Sequence, residues 1–221
     1  MGKAEFVLKR KDFYWWEKIY TDLVVRMLPV VGKTPVTPNM ITFANILNAI
    51  LIFWLIWVGQ YFIAAFLVQV YLFLDILDGN LARYKNLCTK MGKILDHICD
   101  RLYYNALYIV IGIKIGIGWE WIAVYLIVHT VYEVLATYYI VPGIKKLKDF
   151  KRWGVKKYLM ERGVILGMDL SAQSLITTVL LFTPYKAWII YAIINLYILD
   201  LVLRLFELAL NKRIAGKTAV A

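Results

Sequence analysis

The chain lacks most of the charge that a soluble protein of its size carries. Charged residues occupy only 19% of its 221 positions, and acidic residues number 15 against 26 basic ones. Apolar residues reach 62% with a mean hydropathy of +0.64, whereas soluble domains sit near half apolar. That shortage excludes an ordinary soluble domain. Several stretches approach the roughly 18–20 apolar residues that a bilayer crossing needs, so the expected class is a polytopic membrane protein. Cysteine is scarce too: Cys88 and Cys99 are the only two. Two thiols cannot complete a structural metal site, so both read as small packing residues and zinc is argued against. Internal repeats and low-complexity tracts are absent. The first 20 residues hold Lys3, Lys9, Arg10, Lys11, Trp15, Trp16 and Lys18 but no apolar core followed by a small-residue cut site, so no cleavable leader is expected.

What is present is a series of apolar segments. Six spans are expected, over about residues 40–58, 61–83, 95–117, 119–141, 170–181 with flanks, and 188–210. Thr37 suits the cap of the first and Pro38 its first turn. Pro142-Gly143 is expected to stop the fourth, and Thr183-Pro184 the fifth. The net charge of +11 would suggest nucleic acid in a soluble protein, but its distribution indicates membrane lipids, and no nucleic-acid partner is expected. The connections near Gly59, Gly118 and Pro184 hold only Lys114 and Lys186. The N-terminal segment, the link from Arg83 to Lys93, the loop from Lys145 to Arg162 and the C-terminal tail hold nearly all the rest. The chain is therefore expected to be a multi-pass cell-membrane protein with both termini and the basic loops in the cytoplasm. About residues 12–31 mix Trp15, Trp16, Ile19, Tyr20, Leu23, Val24 and Met27 with cations at intervals of three and four. This segment reads as an amphipathic helix on the inner membrane surface, or equally as a helix packed on the protein.

Four aspartates fall inside these apolar spans: Asp75 and Asp78 on the second, Asp96 and Asp100 on the third. Carboxylates at membrane depth are costly and usually functional. Spacings of three and four put each pair on one face of its helix. Asp75 lies 14 residues into its span, roughly 21 Å at about 1.5 Å per residue, in the cytoplasmic third. Asp96 and Asp100 lie at similar depth, so the pairs can face one another in a cavity open to the cytoplasm. Four carboxylates in low dielectric need cations, and hard divalent ions such as Mg²⁺ or Mn²⁺ suit oxygen donors. Two such ions form a clamp for displacement at phosphorus. Gly79 and Gly92 clear space beside the acids, and Arg83 is placed for a phosphate or a carboxylate.

The string Asp75-x2-Asp78-Gly79-x2-Ala82-Arg83-x8-Gly92-x3-Asp96-x3-Asp100 resembles the full signature of the CDP-alcohol phosphotransferase family, with all eight fixed positions present. The likeness extends to the six-span layout, the surface helix and the stretch from Thr37 to Thr42. It implies an enzyme that moves a phospho-alcohol group from a CDP-linked donor to a small hydroxyl acceptor and releases CMP. It further implies that Asp75, Asp78 and Asp96 hold one divalent cation and Asp75, Asp96 and Asp100 a second. Gly79, Ala82, Arg83 and Gly92 would line the CDP pocket, which Thr89, Pro38 and Asn39 complete, and Asp100 would be the general base. A homodimer is also implied. The expected organisation is all-α: residues 1–36 a cytoplasmic segment with an amphipathic helix, 37–211 a six-helix transmembrane catalytic domain, and 212–221 a cytoplasmic tail.

The donor is expected to be a CDP-lipid such as CDP-diacylglycerol or CDP-archaeol, with a soluble CDP-inositol, CDP-choline or CDP-ethanolamine as the alternative. The His in Asp96-His97-x-Cys99-Asp100 resembles the choline and ethanolamine branch. His97 is thus a second candidate for proton transfer, or a neighbour that bonds Asp96 or faces the cavity wall. Arg162, Lys145 and Glu133 are candidates for contacting the acceptor or its phosphate. The bland alternatives are the positive-inside rule for the basic loop and a buried pair with His129 for Glu133. Asp200 and Arg204 have the spacing of an intrahelical ion pair. A cation transporter, with the aspartates as an ion path, is the rival class.

Overall fold

The computed structural model describes residues 13–147 and 150–218. Residues 1–12, residues 148–149 and the last three positions, on which parts of the N-terminal segment, the basic loop and the tail fall, lie outside the described residues. The order is β1 (Phe13–Tyr14), α1 (Trp15–Val31), α2 (Pro38–Trp57), α3 (Tyr61–Tyr84), α4 (Lys90–Ile115), α5 (Trp119–Leu135), α6 (Val141–Lys146), α7 (Gly154–Met160), β2 (Val164–Ile165), α8 (Leu170–Leu181) and α9 (Trp188–Thr218). The two short strands pair in parallel, Phe13 with Val164 and Tyr14 with Ile165. The architecture is otherwise all-α.

Helix starts follow local chemistry. Thr37 caps α2 by accepting the Met40 N–H at 3.3 Å, with Pro38 in the first turn. Thr89 caps α4 through the Gly92 N–H at 2.9 Å, and Asp169 caps α8 through the Ala172 N–H at 3.0 Å. Among the described residues, four helices are long and apolar enough to cross a membrane: Pro38–Trp57, Tyr61–Tyr84, Trp119–Lys146 and Trp188–Ala215. The other two expected spans differ for separate reasons. Helix α4 has 26 residues, roughly 39 Å at about 1.5 Å per residue, which is ample. Its first half, however, carries Lys90, Lys93, Asp96, His97, Asp100 and Arg101. Helix α8 is apolar but has only 12 residues, roughly 18 Å, against a hydrocarbon core of about 30 Å.

Pro142 does not end the fourth span. Residues Ala136–Ile140 widen into a π-type turn immediately before it, and the helix runs on to Lys146. Such a bulge shifts the hydrogen-bond register, so the missing proline donor is accommodated. The last helix likewise continues to Thr218, past the end of the expected span.

Two apolar clusters form the interior. The larger joins α2, α3, α4, α5, α8 and α9 through residues such as Ile52, Val68, Leu107, Ile111, Ile190 and Ile193. A buried polar network runs through it: Gln173 accepts from Tyr197 at 2.5 Å and donates to the Tyr125 hydroxyl at 3.0 Å, while Tyr104 meets Ser174 and Tyr108 meets Thr177, both at 2.7 Å. Within an apolar bundle each such pair satisfies groups that lipid could not. The smaller cluster sets Val24 and Leu28 of α1 against Leu72, Ile76, Leu77 and Leu81 of α3. Gln69 fastens this contact by accepting from Trp16 Nε1 at 3.0 Å and the Tyr20 hydroxyl at 2.8 Å, and by donating to Thr178 of α8 at 2.7 Å. Helix α1 is thus packed on the protein, and its outer face exposes Trp15, Ile19, Leu23 and Val30. It buttresses the side of α3 that lies away from the aspartates.

Candidate active site

Helices α3 and α4 bring the aspartate pairs together as their spacing predicts. Asp75, Asp78 and Asp96 each offer a carboxylate oxygen, and these oxygens lie within 4.8 Å of one another. Asp78 is buried and Asp75 and Asp96 are partly so. Asp100 extends the group: its carboxyl is in hydrogen-bond contact with that of Asp75 and receives the Tyr71 hydroxyl at 3.3 Å. A second neighbour, Thr42 of α2, donates to Asp78 Oδ2 at 2.7 Å while also reaching the Pro38 carbonyl. Three helices therefore converge on the cluster.

The charge balance suits a bound cation. Arg83, one turn beyond Asp78, acts on that carboxylate but donates its Nη2 to Asn80 Oδ1 at 2.9 Å. One guanidinium does not offset four carboxylates in a partly buried site, and their mutual repulsion needs further positive charge. The donor set is all hard oxygen at close range, which suits a divalent ion such as Mg²⁺ or Mn²⁺ and not a soft metal. Asp75, Asp78 and Asp96 are the residues that could hold one; Asp100 would have to close in to share a second.

Gly79 tolerates a side-chain atom beside the acids without a clash. A Cβ there would meet nothing nearer than the Arg83 guanidinium, at 3.8 and 4.0 Å. The glycine thus faces the Arg83 guanidinium at ordinary contact distance, with no other side chain within 4 Å of that position. Gly92 behaves differently: a Cβ would come within 2.9 Å of Thr89 Oγ1. Gly92 and Thr89 are exposed and build the α4 cap together. Ala82 and Pro38 are half-buried and Asn39 is exposed at the start of α2. Pro38 connects to the cluster through its carbonyl and Thr42.

The remaining candidates make contacts of their own. His97 is exposed on α4. Glu133 of α5 bonds Arg101 of α4 at 3.0 Å and also acts electrostatically on His129, which is buried between Tyr125 and Tyr197. Arg162 is exposed, stacked on the Tyr158 ring at 3.5 Å and bonded to the Tyr158 carbonyl at 3.1 Å. Lys145 is exposed near the end of α6. Part of the basic loop is engaged internally, since Lys156 and Arg152 meet Glu207 of α9 at 2.9 and 3.6 Å. The Asp200–Arg204 ion pair forms at 2.7 Å and also draws in Tyr132 and Tyr14.

Sequence reasoning missed Thr42, Tyr71, Asn80 and Arg101 as neighbours of the site. Helical spacing held a signal for three of them. Tyr71 precedes Asp75 by four positions, Asn80 precedes Arg83 by three, and Arg101 adjoins Asp100. Thr42 carried a signal only as the last residue of the stretch from Thr37 to Thr42 in which the family resemblance was noted.

The sequence profile of the family described as CDP-alcohol phosphatidyltransferase matches residues 35–210. The chain belongs to that family. Among curated proteins it is 33% identical over 109 residues to a phosphatidylinositol phosphate synthase of Mycobacterium marinum, covering 49% of this chain and 43% of the relative. It is 33% identical over 103 residues to an archaetidylinositol phosphate synthase of Pyrococcus horikoshii, covering 44% of this chain and 54% of the relative. A CDP-diacylglycerol–glycerol-3-phosphate 3-phosphatidyltransferase of Aquifex aeolicus matches at 33% over 66 residues, 30% of this chain and 37% of the relative. The matched region thus spans about half or less of these relatives.

Proposed function

We propose that the chain is a membrane-embedded, metal-dependent transferase. It moves a phospho-alcohol group of phosphatidyl type from a CDP-lipid, such as CDP-diacylglycerol or CDP-archaeol, to an acceptor hydroxyl in phospholipid synthesis. The observation that carries this reading is the three-carboxylate cluster on α3 and α4, with Gly79 facing the Arg83 guanidinium beside it. The family match and the relatives' names support it.

In this reading Asp75, Asp78 and Asp96 hold one divalent cation, and Asp75, Asp96 and Asp100 a second. Bound there, the cations would neutralise the diphosphate and the departing phosphate. Arg83 and Gly79 receive the diphosphate, with Ala82, Thr89, Gly92, Pro38 and Asn39 toward the nucleotide. Asp100 takes the proton of the acceptor hydroxyl as its oxygen bonds to the phosphorus that carries the alcohol. The phosphoanhydride oxygen leaves with CMP, so one P–O bond forms as one breaks. Lys145, Arg162 and Glu133 are the acceptor-side candidates, and a phosphorylated polyol is the acceptor class that the relatives' names favour. Six spans, α1 on the inner membrane surface, a cytoplasmic active site and a homodimer complete the reading.

The test is release of CMP by the purified full chain. CDP-diacylglycerol, CDP-archaeol, CDP-inositol, CDP-choline and CDP-ethanolamine are each supplied with inositol 1-phosphate, glycerol 3-phosphate or their unphosphorylated alcohols. Metal-dependent CMP release with a CDP-lipid is expected. Turnover of only the soluble donors would select the alternative, in which His97 serves proton transfer. Cation flux without CMP release would sink the transferase reading.

A further inference from the structure

Asp100 lies outside the close triad formed by the other three acids, in contact with Asp75, and its surroundings show what holds it. The close carboxylate triad comprises Asp75, Asp78 and Asp96. Asp100 instead touches Asp75 and accepts the Tyr71 hydroxyl on Oδ1 at 3.3 Å. Tyr71 lies on α3 one turn before Asp75, on the same face, and is 4% exposed. Its ring stacks on Tyr103 of α4 with centroids 3.5 Å apart and planes 11° from parallel. Tyr103 in turn stacks on Phe53 of α2 at 5.8 Å and meets Tyr104 edge-on at 4.9 Å. The Tyr104 hydroxyl is fixed to Ser174 of α8 at 2.7 Å. Four helices therefore fix the plane of the Tyr71 ring.

Such an arrangement is more than the cluster's stability requires. A phenylalanine at 71 would keep the ring against Tyr103, because that face-to-face contact does not involve the hydroxyl. What the hydroxyl adds is one donor to one oxygen of Asp100. A carboxylate has about four acceptor sites on two oxygens. Donation to Oδ1 restricts rotation of the carboxyl and leaves other lone pairs for an incoming hydroxyl. Because the ring is pinned from several sides, the donor is preorganised and little rotamer freedom is lost when the bond forms.

We propose that Tyr71 is a positioning residue for proton transfer: through Asp100 it orients the base toward the acceptor hydroxyl, and it does not itself contact the reacting atoms. The inference rests on Asp100 being the general base, as in the reading above. Tyr71→Phe isolates it, since the ring stays and only the hydroxyl is lost. In the full chain in lipid nanodiscs, CDP-diacylglycerol is supplied with inositol 1-phosphate or glycerol 3-phosphate. Tyr71→Phe is expected to lower kcat about tenfold, with the KM for the donor and the Tm unchanged. An unchanged kcat overturns the proposal, as does a joint change in KM and Tm, which marks a packing role only. A second readout does not depend on turnover. In infrared difference spectra of the chain without added metal, Asp100→Asn identifies the Asp100 carboxyl band, and Tyr71→Phe is expected to shift it. A band that stays in place overturns the proposal. Failure of the wild-type chain to release CMP would count against the transferase reading instead, and the infrared result would still decide whether Tyr71 holds Asp100.

Discussion

Thr42 of α2 donates its hydroxyl to Asp78 Oδ2 of α3 at 2.7 Å, across 36 residues of sequence. The same hydroxyl reaches back to the Pro38 carbonyl at 3.2 Å. A helix with no acidic residue of its own thereby fixes the orientation of a candidate metal ligand. It also ties the ligand to the cap that starts α2, so the beginning of one span and the chemistry of the next are mechanically linked.

Thr42→Val keeps the shape of this side chain and removes its donor. The expected result is a loss of about tenfold in kcat/KM for CMP release, as for one hydrogen bond to a charged acceptor. Weaker Mn²⁺ binding, read by titration, should accompany it. Equal activity in both proteins would show that Asp78 is held sufficiently by its other contacts.

Asp100→Asn replaces the proposed base with a group of the same size that takes up no proton. CMP release should fall by at least about 10²-fold, the usual contribution of general-base catalysis. Full activity would remove Asp100 from the mechanism.

Metal removal makes a separate prediction. Chelation should abolish CMP release, and added Mg²⁺ or Mn²⁺ should restore it. Because a ligand that binds only the folded state stabilises it, the Tm should rise with metal concentration. In Asp96→Asn, which removes one member of the close triad, that rise should shrink.

Gly79→Ala distinguishes space kept for a ligand from space needed for packing. The new Cβ would meet only the Arg83 guanidinium, in ordinary contact. The Tm should therefore hold or rise slightly, since alanine favours a helix by up to about 1 kcal/mol over glycine. The KM for the CDP-lipid should nonetheless rise severalfold. A fall in Tm would show that the site is packed more tightly than this.

Gln69→Leu tests the fastening of α1. It leaves the Trp16 N–H, the Tyr20 hydroxyl and the Thr178 hydroxyl without their shared partner. A loss of about 1–3 kcal/mol in stability is expected, the cost of stranding buried polar groups. Thermal unfolding in detergent is the check. No change would mean that apolar contact through Val24 and Leu28 suffices.

Much of the fold was legible because membrane helices follow short-range rules. Apolar run length marked α2, α3, α5 and α9, and Thr37-Pro38 marked the first cap, since all of these depend on residues within a few turns. Legibility failed where neighbours decide. Pro142 looked like a stop, yet the π-type turn before it carries the helix onward. Helix α4 is too polar over its first half to read as an apolar span, because that half faces the acid cluster. Helix α1 permitted two readings, and its packing on Gln69 and Leu77 could not be deduced from its own amphipathic pattern.

The sequence alone determined which carboxylates travel together. Spacings of three and four place Asp75 with Asp78 and Asp96 with Asp100 on single helix faces, whatever the helices later pack against. It also determined the family signature and the absence of side chains at Gly79 and Gly92. Only the tertiary structure decided what surrounds those acids. The rotation of α2 about its axis puts Thr42 on Asp78. The aromatic stack between α3 and α4 brings Tyr71 to Asp100. The pairing of Arg101 with Glu133, and of Lys156 with Glu207, engages charges that the chain presents as loose. Periodicity fixes a face within one helix, but how two helices turn toward each other depends on side-chain packing between segments far apart in sequence.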